Sequence, residues 1–179
     1  GERIIGYVGR LAPEKQVERM AALRGLDDVR FVVVGDGPSL PLLRRQLDGM
    51  PVTFLGSLSG AELATAYASM DVFVHTGTEE TFGQTIQEAH AAGLPVVGPY
   101  AGGPIDLIDH GVDGFLYDPV SDDQFRAFVE ALAIDDELRA RMGEAGRRAV
   151  LGRSWGGVCA QLVEHYEAAI ARRAAPVAL

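Results

Sequence analysis

Glu80 and Glu88, with seven residues between them in Glu80-Thr-Phe-Gly-Gln-Thr-Ile-Gln-Glu88, carry the most chemical content in this chain. They fall where an apolar strand pattern gives way, through a loop, to a helix pattern, and Ala92-Gly-Leu-Pro-Val-Val follows. Two carboxylates at the carboxyl end of a strand suit the hydroxyls of a sugar or ribose, and ligands bind at that end in open α/β sheets. Paired carboxylates can also hydrolyse a glycoside as acid and base. That reading is weaker, because no separate acid with its own pocket can be picked out. Glu79 is expected to face solvent.

Gly9-Arg10-Leu-Ala-Pro-Glu-Lys15 follows the first apolar run. A glycine there lets backbone approach a phosphate, a guanidinium grips phosphate oxygens in pairs, and an ammonium adds a point charge. With a helix N-terminus beside them, Arg10 and Lys15 would neutralise a diphosphate without metal. The plainer alternative pairs them with Glu14 or Glu18. Gly35-Asp-Gly37 resembles the start of a dinucleotide fingerprint, but Leu40 stands where the third glycine belongs, so a tight turn is expected. Backbone at Gly56-Ser-Leu58 could read a nucleobase edge, or be an ordinary turn. Phe82 and Gly83 open a helix, so their amides point beyond the strand ends. Gly102-Gly103-Pro104 suits ligand contact and turn geometry equally. The four histidines lack metal-ligand spacing, and neither a nucleophile elbow nor a Walker loop is present.

The elements that must position these residues read as α/β units. Apolar runs at 4–8, 30–34, 52–55, 72–75, 95–98 and 114–116 alternate with helical patterns at 14–24, 39–47, 60–69, 83–92 and 104–109, predicting a doubly wound parallel sheet. Three more helices are expected at 122–133, 136–151 and 155–173. Ser121 caps the first of these, and Asp135-Asp-Glu places negative charge at the start of the second. Trp155, Val158, Leu162, Tyr166 and Ile170 form a stripe at helical spacing, expected to pack in the core, and Cys159 is read as a helix-packing residue. Residues 174–179 read as a frayed tail.

One domain fits 179 residues. A net charge of −9 argues against a nucleic-acid surface but not against a small anion held by local donors. Lys15 is the single lysine among 16 basic residues. A lone cysteine forms no internal disulfide, which fits a reducing cytoplasm. No apolar run approaches the roughly 20 residues that span a bilayer. The abrupt start at Gly1 is read as a cut within a longer protein.

Gly9-Arg10…Lys15, the Glu80/Glu88 pair, and Ala92-Gly-Leu-Pro-Val-Val followed by Gly102-Gly103 together resemble the group 1 retaining glycosyltransferases of GT-B architecture. The resemblance is firmest from Gly9 to about Pro119. Ala12-Pro-Glu-Lys-Gln-Val-Glu-Arg19 and Tyr67-Ala-Ser-Met-Asp-Val-Phe-Val-His75 look closest to GDP-mannose-dependent α-mannosyltransferases acting on lipid acceptors. The resemblance implies a Rossmann-like C-terminal half over residues 1–179, a single donor-binding domain whose N-terminal acceptor domain lies outside this chain. Arg10 and Lys15 would hold the diphosphate as leaving group, Glu80 the sugar ring, and Glu88 the ribose. Gly9, Gly56, Leu58, Phe82 and Gly83 would complete the donor site, with no metal or other cofactor. Asp106 stands where the family often carries Glu and is left out of the site.

The implied reaction transfers a hexose with retention, mannose from GDP-mannose, to a lipid or glycan acceptor. A UDP-sugar donor is the alternative, and a non-catalytic nucleotide-binding or scaffolding domain is a second. A dehydrogenase would need the complete glycine fingerprint, which is missing. The isolated chain is expected to bind nucleotide weakly without turnover. The expected location is cytoplasmic, with any peripheral contact at the inner membrane face made through the other domain.

Overall fold

Six apolar runs become six strands in a single parallel sheet of a computed structural model, which describes residues 1–153 and 155–174. The strands are β1 (Arg3–Val8), β2 (Val29–Val34), β3 (Val52–Gly56), β4 (Val72–Val74), β5 (Val96–Pro99) and β6 (Gly114–Tyr117). Their order across the sheet is β3-β2-β1-β4-β5-β6. Chain progression therefore reverses between β1 and β4, the topological switch point at which α/β sheets open a crevice. Sequence placed every strand within about two residues, because strands covered on both faces read as continuous apolar runs.

Strand side chains alternate between two cores. Ile5, Tyr7, Phe31, Val33, Val72, Val74 and Val97 point to one face and pack with Leu43, Phe125, Val129 and Leu132. Val8, Val34, Phe73 and Val96 point to the other and pack with Tyr67, Ile86 and Ala89. The covering helices are α1 (Leu40–Gln46), α2 (Gly60–Ala68), α3 (Gln84–Ala91), α4 (Pro104–Leu107), α5 (Asp122–Ile134), α6 (Asp136–Val150) and α7 (Trp155–Ala174). The Ser121 hydroxyl accepts from the Gln124 amide, and the Asp135 carboxylate from Leu138, so both expected caps form.

Three expectations need correction. The helix expected at 14–24 is two 3₁₀ segments, Pro13–Lys15 and Val17–Leu23, broken at Gln16, which adopts φ 48°. The Gln16 side chain donates to the Thr78 hydroxyl at 3.0 Å, so a tertiary bond overrides local helix propensity. The α7 stripe does not enter a core. Val158, Leu162, Tyr166 and Ile170 are all exposed, as is Cys159. The Trp155 side chain and the tail at 175–179 lie outside the described residues.

Candidate functional site

The loops after β1 and β4 meet at the switch point, and their glycines let them meet closely. A Cβ on Gly35 would stand 1.9 Å from the Gly9 carbonyl oxygen, and one on Gly37 would stand 2.3 Å from the Leu11 carbonyl oxygen. Gly35-Asp-Gly37 is thus a packing turn that braces the loop after β1, as the incomplete fingerprint predicted. A Cβ on Gly77 would stand 3.1 Å from the Glu14 carbonyl oxygen and 3.2 Å from Lys15 Cα. The Thr76 hydroxyl donates to the Lys15 carbonyl at 2.7 Å, and Gln16 reaches Thr78. These bonds join residues 61 and 62 positions apart in the sequence.

Across that junction Lys15 Nζ donates to Glu80 Oε2 at 2.8 Å, and both side chains are largely buried. Glu80 Oε1 accepts from the amides of Thr81 (3.1 Å), Phe82 (3.2 Å) and Gly83 (3.0 Å). The carboxylate therefore sits on the N-terminus of α3, where amides and the helix dipole favour an anion. Burial on its own would raise the Glu80 pKa. The Lys15 hydrogen bond, the Gly83 amide, the Lys15 charge and the Phe82 amide outweigh it and bring the value down to about 2. The Phe82 and Gly83 amides, expected to face beyond the strand ends, donate to Glu80.

Gly83 takes φ 64°, and a Cβ on it would stand 2.2 Å from Leu107 Cδ1. Gly102 and Gly103 also serve packing here. The Gly103 amide donates to the Glu80 carbonyl at 2.7 Å, and Cβ atoms at either glycine would crowd the backbone around Glu80. Glu79 is exposed, as expected.

Arg10 is exposed and pairs with Glu14, so its guanidinium lies at the rim while Lys15 lies inside. Beneath them Tyr7, fully buried, donates its hydroxyl to the Arg10 carbonyl at 3.2 Å. Burial, then the charges of Glu80 and Glu14, push its pKa upward, which keeps that hydroxyl a donor. His75 is 2% exposed and stands 4.0 Å from Glu80. Burial lowers its pKa to about 4, so near neutral pH it is uncharged and the pair is no salt bridge.

Glu88, half-buried on α3, accepts from Tyr67 Oη at 2.9 Å and from Gln84 Nε2 at 3.2 Å. Gly56 takes φ 70°, and its carbonyl accepts from the Gly35 amide at 2.7 Å. Leu58, partly buried, packs beside Tyr67 in the second core. Asp106 is exposed on α4. The sequence-predicted residues thus form one arc at the carboxyl ends of β1, β3 and β4. Among the described residues no cluster of His, Cys, Asp and Glu could hold a metal ion, and no helix is long and apolar enough to cross a membrane.

A lysine, a pinned carboxylate and a second carboxylate on a helix, all beyond the strand ends, are groups that can bind a phosphorylated polyol. Comparison with known proteins is specific. The family described as Glycosyl transferases group 1 matches residues 1–149. The GDP-mannose-dependent alpha-mannosyltransferase of Mycolicibacterium smegmatis is 50% identical over 175 residues, covering 97% of this chain and 45% of that protein. The protein of the same description from Corynebacterium glutamicum is 47% identical over 173 residues, covering 95% of this chain and 41% of that protein. The solved Anabaena HepE in complex with UDP and glucose matches with a TM-score of 0.82 at 27% identity, over 93% of this chain and 48% of that one. This chain therefore spans less than half the length of the curated relatives it matches.

Proposed function

The chain belongs to the group 1 glycosyl transferases, and from that premise we propose that it is the donor-binding, C-terminal half of a retaining GT-B mannosyltransferase using GDP-mannose. The donor preference rests on the relatives at about half identity, which are described as GDP-mannose-dependent. The Lys15–Glu80 bond across the switch point is the observation that carries the reading. It joins a cation suited to a diphosphate and a carboxylate suited to sugar hydroxyls within one hydrogen bond.

Lys15 has three donors and spends one on Glu80, leaving two for the phosphate that becomes the leaving group. Arg10, paired at the rim with Glu14, swings to the outer phosphate oxygens and adds a bidentate grip. Both cations stabilise charge that grows as the bond from anomeric carbon to phosphate breaks, so they act more strongly in the transition state than in the ground state.

Glu80 is a poor nucleophile and a poor general base. Its Oε1 is committed to three amides and one Oε2 lone pair to the Lys15 ammonium, leaving a single Oε2 lone pair for a sugar hydroxyl, and its pKa of about 2 makes proton capture weak. Its role is to orient Lys15 and the sugar ring. The same low value removes it as the acid of a hydrolase. Glu88 takes the ribose, and backbone at Gly56–Leu58 takes the base edge. Gly9 lets the chain pass the diphosphate, and the Phe82–Gly83 turn sets the sugar position. The acceptor, a lipid or a glycan, is bound by an N-terminal domain outside this chain. That domain also makes any contact with the inner face of the membrane, in the cytoplasm.

Calorimetric titration of the purified chain with GDP, UDP and ADP, without added metal, tests the proposal. Preference for GDP, lost in Lys15→Ala, is the expected result. Preference for UDP moves the donor assignment to a UDP-sugar. Equal binding by wild type and Lys15→Ala overturns the site.

A further inference from the structure

Glu88 is held from two sides by unequal partners. Gln84 is exposed and sits one turn away on the same helix, so it moves with Glu88 and fixes only its local rotamer. Tyr67 comes from α2 and is 4% exposed. Its ring packs 5.9 Å from that of Phe73 on β4, and its hydroxyl reaches Glu88 Oε2 at 2.9 Å and the Thr85 carbonyl at 3.4 Å. Burial, then the charge of Glu88, push the phenol pKa upward, so the hydroxyl remains a donor at any physiological pH.

The place of α2 in the chain gives this bond its meaning. α2 begins at Gly60, two residues after the Gly56–Leu58 turn, and ends at Ala68, directly after Tyr67. One end of this short helix therefore carries the segment assigned to the base, and the other end holds the carboxylate assigned to the ribose.

We propose that Tyr67 is a positioning residue for nucleoside recognition, fixing the Glu88 carboxylate relative to the Gly56–Leu58 turn so that it meets the ribose hydroxyls of a nucleoside diphosphate. The inference rests on Glu88 being the ribose-binding residue. An unheld glutamate must be ordered when the ligand arrives, and that entropy is subtracted from affinity. A carboxylate already anchored by a buried phenol loses less. Tyr67→Phe removes the hydroxyl and keeps the ring packing, so it separates positioning from core structure.

The test is calorimetry of the chain with GDP, 2′-deoxy-GDP and 3′-deoxy-GDP, alongside melting temperatures. Wild type is expected to prefer GDP by about tenfold over at least one deoxy analogue, the scale set by a charged hydrogen bond. In Tyr67→Phe, GDP affinity falls about fivefold while the deoxy affinities hold, so selectivity shrinks to about twofold. Glu88→Ala abolishes selectivity, and adding Tyr67→Phe to it changes nothing further, the non-additivity expected of one functional unit.

Full selectivity in Tyr67→Phe, with none in Glu88→Ala, overturns the positioning role and leaves the ribose assignment standing. Equal losses for all three nucleotides, with a lowered melting temperature, also overturn it. Wild type without selectivity, or without nucleotide binding, overturns the ribose assignment and this inference with it.

Discussion

Replacing Glu80 with glutamine keeps the shape of the side chain and removes its charge, which makes it the sharpest probe of the site. The glutamate pKa is about 2 in the folded chain against an ordinary 4.5. A depressed folded value means that the carboxylate stabilises the fold fully above about pH 4.5 and loses that contribution as pH falls through 2. At about 1.4 kcal/mol per unit, the difference sets a ceiling of about 3 kcal/mol. The side chain keeps 16% of its surface exposed, and solvent screening there reduces the expected share to about 1.5 kcal/mol.

Urea denaturation of wild type and Glu80→Gln at pH 7 is therefore expected to differ by about 1.5 kcal/mol. At pH 3 the gap shrinks to about 0.6 kcal/mol, because most of the titration window has been crossed. His75 and His90, both buried with pKa values lowered to about 4, also titrate as pH falls from 6.5. His90 does so equally in both variants and cancels, whereas the Glu80 charge raises the His75 pKa, so the comparison is made with His75→Gln in both chains. A gap that stays constant from pH 7 to pH 3 refutes the assignment of a charge-dependent clamp to Glu80.

Lys15→Ala is expected to weaken GDP binding at least tenfold by calorimetry and to lower stability by about 1–2 kcal/mol, since Glu80 loses its cation while partly buried. Gly83→Ala is expected to cost about 2 kcal/mol or more in urea denaturation, because it combines φ 64° with a clash at Leu107. Gly35→Ala drives a methyl into the Gly9 carbonyl and is expected to cost about 2–3 kcal/mol, and to weaken GDP binding by displacing the loop that carries Arg10. Wild-type stability itself is expected to fall between pH 6.5 and pH 4. Buried His75 and His90 resist protonation that the unfolded chain accepts, and His75→Gln, read by urea denaturation, flattens that slope.

The sheet was legible in the sequence because buried parallel strands such as Phe31-Val-Val-Val34 and Val72-Phe-Val74 have no polar alternation to confuse them. Arg10, Lys15, Glu80 and Glu88 could be picked out as candidates because each belongs to a short local motif in the loop or helix that follows a strand. Their pairings could not. That Lys15 meets Glu80, or that Tyr67 meets Glu88, depends on strand order, which periodicity does not encode. Gln16 in a left-handed conformation was invisible because its cause, Thr78, lies 62 residues away. The α7 stripe misled for a related reason. Apolar spacing marks a face that avoids water but not what covers it, and within this chain Leu162 and Tyr166 remain exposed.

The register of the sheet gives the cleft a mechanical meaning. β1 and β2 align over six residue pairs, whereas β1 and β4 align over only two, Ile5 with Val72 and Gly6 with Phe73. β4 also pairs with β5 over only two residues, so this short strand, with the switch point on one side of it, is a seam. Three side-chain bonds, Lys15 to Glu80, Gln16 to Thr78 and Thr76 to the Lys15 carbonyl, stitch it just beyond the last paired residues. Active sites commonly weaken the scaffold that holds them. Here the residues proposed to bind are also the fastening between the two halves of the sheet, so a ligand gripping both loops would tighten the joint it sits on. Amide exchange along β4 would then slow on nucleotide binding more than exchange along β2.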